Sequence, residues 1–247
     1  MSAGMCSPTV ERVMRDVWAS GLRGGARGGV AVLRIGLERE LDVMNRRVLE
    51  LVWDVDDYLG EMVEFLEGRE AEADGRGVGY DARLKMRGEE IEDDCLLLQA
   101  RQAPVACDLR FVHSVCAVAN HAVRTGTLCE HVFRVFEASD EEPRRHDLDD
   151  AISRMSREAC GVFRQGLEIF ESRDIRHARS LKAADKVVDR LCAEVMELAA
   201  DGGGSSVSPG KVSQAALVAH YLERIADHGV DIGMRTVFLV EGEEMAL

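Results

Sequence analysis

Three carboxylates, Glu223, Asp227 and Asp231, recur at every fourth residue near the end of the sequence. On a helix that spacing stacks them along one side. Like charges so placed repel by about 0.2–0.5 kcal/mol per pair. A metal ion or basic side chains are therefore expected to neutralise them. The surrounding pattern is helical, with Leu217, Leu222, Ile225, Ile232 and Val237 apolar and no breaker between them. The plain alternative is a solvated face with ordinary pairs, such as Asp231 to Arg235 one turn on. His220 and His228 read as surface or core-edge imidazoles. His113, His121 and His131, spaced by eight and ten, make no ligand set and read as structural.

The chain that must position these groups has 247 residues, 46% hydrophobic, enough for one large or two small domains. It holds only four prolines, two of them (Pro8 and Pro143) in linker-like stretches, which leaves long uninterrupted segments and favours an all-α fold. A net charge of −14 argues against nucleic acid, whose phosphates demand a basic face. It suits a protein that meets basic surfaces or metal ions. The seven cysteines are widely spaced with no CxxC, and fit buried packing in a reducing cytoplasm better than disulfides or a zinc site. No apolar run is long enough to span a membrane, and the N-terminus lacks a signal-peptide core, so a cytoplasmic location is expected.

Residues 1–29 read as a flexible, glycine-rich extension. Six long helices are expected after it. The first, 30–67, carries Leu37, Leu41, Met44, Val48, Leu51, Val55, Tyr58, Met62 and Leu66 in steps of four and three, a bundle seam. The second covers 81–102. Pro104 fits the first turn of the third, 105–137. A polar linker at 139–147 separates the halves. The fourth helix, 148–171, turns Ile152, Met155, Ala159, Val162, Phe163 and Leu167 inward. Asp174 can cap the fifth, 175–200, and Ser208 and Pro209 can open the sixth, which runs to about residue 240. The order of elements repeats, and Val118, Ala119 and Arg124 stand one hundred positions before Val218, Ala219 and Arg224. This predicts two tandem three-helix bundles, at 30–138 and 148–244, built by internal duplication.

Three stretches resemble one family. Gln102–Arg110 (QAPVACDLR) is similar to the QQPVAxDLR signature of PhoU-type phosphate-signalling proteins, Tyr221–His228 (YLERIADH) to their YLERIGDH, and Ser172–Asp189 follows their pattern. The resemblance spans about residues 31–244. It implies two symmetric three-helix bundles without enzyme activity, and a negative regulator of phosphate uptake and of the phosphate-starvation response. Such a regulator links the ATPase subunit of the high-affinity phosphate ABC transporter to a sensor histidine kinase. It reaches the membrane only through these partners and is expected as a homodimer. Some members bind iron, zinc, manganese or magnesium through E/DxxxD motifs.

Residue by residue, the resemblance makes Asp185 and Asp189 the acidic pair of the fifth helix and Glu223, Asp227 and Asp231 the acidic run of the sixth. Oxygen ligands of this kind suit hard or borderline cations. Arg224 and His228 belong to the same signature and, rotated from the carboxylates, fit a role behind the ligands or at a dimer contact. Asp108 and Arg110 carry the other signature and also suit a capped helix start. The first half departs from the pattern. Asp81 is kept, but its partner is Lys85, and Val123, Thr127 and His131 stand where Glu223, Asp227 and Asp231 would. One competent site in the second half and one vestigial site in the first are expected. The competing readings are a diverged, metal-free helical adaptor for another transporter and, in a different class, a metal-dependent phosphatase. No Gly-rich phosphate loop, GxSxG or HExxH supports an enzyme.

Overall fold

The steps of four and three along residues 37–66 become the spine of the first half. In a computed structural model, residues 29–68, 77–137, 147–201 and 208–242 are described. They form α1 (Gly29–Leu66), α2 (Gly77–Gln102), α3 (Cys107–Glu137), α4 (Asp147–Ser172), a 3-10 turn (Ile175–His177), α5 (Ala178–Ala200) and α6 (Pro209–Glu241). No strand occurs among the described residues. Leu41, Met44, Val48, Leu51, Val55, Tyr58, Met62 and Leu66 are all buried, as are the six inward residues expected on α4. On α2 the stripe is narrower: Leu84, Ile91, Cys95 and Leu98 are buried, whereas Leu96 is 64% exposed.

Helices α1, α2 and α3 pack on one another, and so do α4, α5 and α6. The two bundles meet along α1–α4 and α3–α6. On the first seam, Arg164 of α4 donates to the buried Asp56 of α1 at 2.9 Å. Only the Asp56 carboxylate is buried, whereas the Arg164 side chain is 54% exposed, so solvent screens the pair. Burial pushes the Asp56 carboxyl up, and the Arg164 guanidinium opposes that rise.

Local chemistry explains the breaks. Pro104 does not open α3. Ala103 and Ala106 on either side take left-handed φ of 43° and 50°, so the helix begins only at Cys107. Asp174 caps the 3-10 turn rather than α5, accepting from the Arg176 amide at 3.2 Å. Ser208 caps α6 as expected, with Pro209 opening its first turn. Gly242 ends α6 in the left-handed conformation that costs glycine little. Gly29, assigned to the extension, already belongs to α1. The rest of the extension and the linker residues 139–146 lie outside the described residues.

Candidate functional site

Helix α6 can lie against α4 because two glycines face each other. A Cβ on Gly229 would come within 2.5 Å of the Phe163 Cα, and one on Gly166 within 2.1 Å of the Gly229 carbonyl oxygen. This close approach fixes the rotation of α6, which turns Ile225 and Ile232 inward and leaves Glu223, Asp227 and Asp231 beside α5. Asp185 and Asp189 of α5 share the same surface.

Asp185 feels the charge of each of the other four carboxylates. Partial burial raises the Asp185 carboxyl above its usual range, and the charges of Asp189, Asp227, Glu223 and Asp231 add to the rise. Burial likewise raises Asp227. Glu223, Asp231 and Asp189 push it further, and only Arg224 opposes them. Asp185, Asp189 and Asp227 make no ion pair or hydrogen bond with any described residue. Glu223 is 3.4 Å from the His220 Nδ1. Asp231 does not pair with Arg235, whose guanidinium turns to His113 at 3.5 Å. The nearest imidazole to Asp231 is His121, from the other bundle, at 3.7 Å.

Oxygen donors in this number suit a hard cation. The carboxylates do not close on a common point, however. Among the described residues no three His, Cys, Asp or Glu side chains stand together as a metal-holding group.

The counterpart surface of the first half is built differently. The Lys85 ammonium donates to Asp81 Oδ2 at 2.6 Å, and the Thr127 hydroxyl to Asp81 Oδ1 at 2.7 Å. Burial alone would raise the Asp81 carboxyl. The hydrogen bonds from Lys85 and Thr127, with the charges of Lys85 and Arg134, outweigh burial and hold it low. Counterpart aspartates are thus shifted in opposite directions: Asp185 faces other acids, and Asp81 faces a lysine. Val123 packs half-buried against the core, and His131 lays its ring 5.5 Å from that of Tyr221 on α6.

The signature residues fall in two places. His228 is buried on the α3–α6 seam, its Nδ1 3.0 Å from the Thr125 hydroxyl and its ring 5.3 Å from that of His121. Burial, helped by His121, Arg224 and Arg124, pushes His228 down to about 4, so it is neutral near pH 7. It touches no carboxylate of the acidic face. Arg224 lines a cavity of about 280 Å³ on the same seam, together with Arg124. Asp108 and Arg110 lie elsewhere. Asp108 sits in the first turn of α3, where the helix dipole favours a negative charge. The Arg110 guanidinium lies against Gly242 at the C-terminus of α6, where the dipole favours a cation. That is about 16 Å along the helix from Asp231, apart from the acidic face.

Read from the sequence alone, His121 is structural and Arg124 a mark of the duplication, and neither is placed at a site. The hundred-residue offset that pairs Arg124 with Arg224 also pairs His121 with Tyr221, and it was the signal that could have found both.

The PhoU domain matches residues 152–236, the half that carries the five carboxylates. A phosphate-specific transport system accessory protein, PhoU homolog 1 of Methanothermobacter thermautotrophicus, is 31% identical over 160 residues, covering 62% of this chain and 71% of that one. The chain belongs to the PhoU family. The PhoU homolog 1 of Thermotoga maritima is 21% identical over 216 residues, 85% of this chain and 91% of that one. The crystal structure of PhoU from Streptococcus pneumoniae superposes with a TM-score of 0.76 at 21% identity, covering 85% of this chain and all of that one. The PhoU fold therefore holds across both bundles, including the half whose acidic motif is lost. No helix among the described residues is long and apolar enough to cross a membrane.

Proposed function

We propose that this PhoU protein is a non-enzymatic accessory regulator that restrains phosphate uptake and the phosphate-starvation response. It docks, as a homodimer in the cytoplasm, onto the ATPase subunit of the phosphate ABC transporter and onto the cognate sensor histidine kinase. Its acidic face takes a divalent or trivalent metal ion. The observation that carries the metal part is the opposite shift of the counterpart aspartates, Asp185 raised and Asp81 lowered. The first half carries its own counter-cation in Lys85, and the second half leaves three carboxylates without one.

Asp185, Asp189, Glu223, Asp227 and Asp231 would hold the ion, which supplies the positive charge that cancels their repulsion. Drawing α5 and α6 together at that face changes the surface offered to a partner, so metal-loaded and metal-free protein differ in what they can dock.

The test is elemental analysis of the purified protein beside Asp227→Ala, with thermal melting before and after a chelator. Metal that is lost in Asp227→Ala, together with a melting temperature that falls on chelation, supports the reading. Pull-down of the transporter ATPase and the sensor kinase, with and without chelator, tests the docking. A second reading, a metal-free helical adaptor for another transporter, draws support from the lack of any three converging ligands among the described residues. It predicts neither metal nor a chelator effect.

A further inference from the structure

The substitutions that removed the first half's acidic motif also changed the charge balance of the α3–α6 seam. Arg124 and Arg224 line the same cavity of about 280 Å³ from opposite helices. Neither makes a hydrogen bond or ion pair with any described residue. Arg224 has Asp227 one turn along its own helix, close enough for each to feel the other's charge. At the corresponding place beside Arg124 stands Thr127, and where Glu223 would be stands Val123. The remaining acid on that side, Asp81, is already held by Lys85 and Thr127. Arg124 is therefore left without an ion pair among the described residues, at a recess that a second guanidinium also lines.

The rest of the cavity suits a small anion as well. The Tyr221 hydroxyl makes no hydrogen bond to a described residue and is free to donate. His220 also lines it, its Nδ1 3.4 Å from Glu223. Leu128 and the rings of Tyr221 and His228 form the rest of the walls. Paired guanidiniums in a fixed fork geometry are the usual recognition elements for tetrahedral oxyanions.

We propose that this seam is an oxyanion site that takes a phosphate group through Arg124 and Arg224, with the Tyr221 hydroxyl as a third donor. The choice of phosphate over other tetrahedral anions rests on the reading of the protein as a phosphate-transport regulator. The site itself does not depend on metal at the acidic face. Each bundle contributes one arginine, so an occupied site ties the two halves together at the place where their sequences have diverged.

Isothermal titration of inorganic phosphate into the full-length, chelator-treated protein tests the site. Saturable, equimolar binding is expected, weakened about tenfold or more in Arg124→Gln and in Arg224→Gln, as loss of a charge-assisted hydrogen bond implies. Both arginines are exposed and glutamine is a good helix former, so both variants keep the fold, checked by circular dichroism. Asp185→Asn, on the acidic face, is expected to bind phosphate at least as well as the wild type. Absence of binding at millimolar phosphate, or wild-type affinity in either arginine variant, overturns the proposal and leaves the metal and docking reading standing. Titration with adenosine monophosphate separates the sources. Tighter binding than free phosphate assigns the site to a phosphomonoester and weaker binding assigns it to the free anion; either result, if sensitive to both arginines, supports the site.

Discussion

The His121 imidazole of α3 stands 3.7 Å from the Asp231 carboxylate of α6. Moved one hundred positions along the chain and exchanged between helices, the same contact returns as Tyr221 against His131, ring to ring at 5.5 Å. The two helices thus cross with a local two-fold relation, and Arg124 and Arg224 flank its centre. What the halves keep in common is the crossing. What they no longer share is the chemistry on the outer face.

The repulsion among the acids makes a prediction about Asp227. Its carboxyl is raised in the folded state, so at neutral pH it is charged at a cost that the unfolded chain does not bear. In chelator-treated protein, Asp227→Asn is expected to raise the melting temperature by about 1–3 °C, the shift that a fraction of a kcal/mol produces in a chain this size. With metal added, the order is expected to reverse, the wild type melting higher. A variant that melts lower in both conditions would show that Asp227 supports the fold by itself.

Restoring acids in the first half is the converse experiment. The triple change Lys85→Asp, Val123→Glu and Thr127→Asp places carboxylates around Asp81 and removes its lysine. Metal content measured by elemental analysis is expected to double relative to the wild type. Unchanged content would mean that the acids alone do not make the site.

His228 supplies a pH dependence of the opposite sign to that of the raised acids. Its folded value is pushed down to about 4, below the usual 6.5. Between these values the unfolded chain binds the extra proton, so the stability from a neutral His228 is present above pH 6.5 and is lost as pH falls towards 4. The loss amounts to about 3 kcal/mol at most. Urea melts of metal-free protein from pH 7 to pH 4.5 are expected to show it. His228→Gln, which keeps a partner for the Thr125 hydroxyl at that position, should flatten the profile. A parallel profile in the variant would assign the loss to other groups.

Most of the fold was legible because it rests on periodicity. The α1 seam from Leu41 to Leu66 and the inner face of α4 are buried as their spacing demands. The capping of α6 by Ser208 and Pro209 also follows from local chemistry alone. Pro104 misled because its fixed φ permits a helix start without requiring one, and the left-handed Ala103 and Ala106 decided otherwise. The acidic face could be placed from spacing and resemblance. The seam could not, because which histidine meets which carboxylate depends on the α3–α6 crossing, and His121 and Asp231 are too far apart in sequence for any local pattern to join them.

The crossing of α4 and α6 is the least tolerant point in the second bundle. A methyl group at Gly229 would meet the Phe163 backbone at 2.5 Å, and a helix backbone cannot retreat as a side-chain tip can. Gly229→Ala is expected to destabilise the protein by about 1–3 kcal/mol in urea unfolding and to lower metal content as α6 moves from α5. Wild-type stability in this variant would mean that the helices have slack.

The local two-fold of α3 and α6 is an isologous interface contained in a single polypeptide. In an assembly of two identical bundles every replacement occurs twice, so a lysine that silences one acidic face silences both. Here the two copies are joined covalently, and Lys85 occurs in one of them only. Fusion lets one bundle carry a lysine-neutralised aspartate while its twin keeps all five carboxylates, which no homodimer of single bundles can do by point mutation.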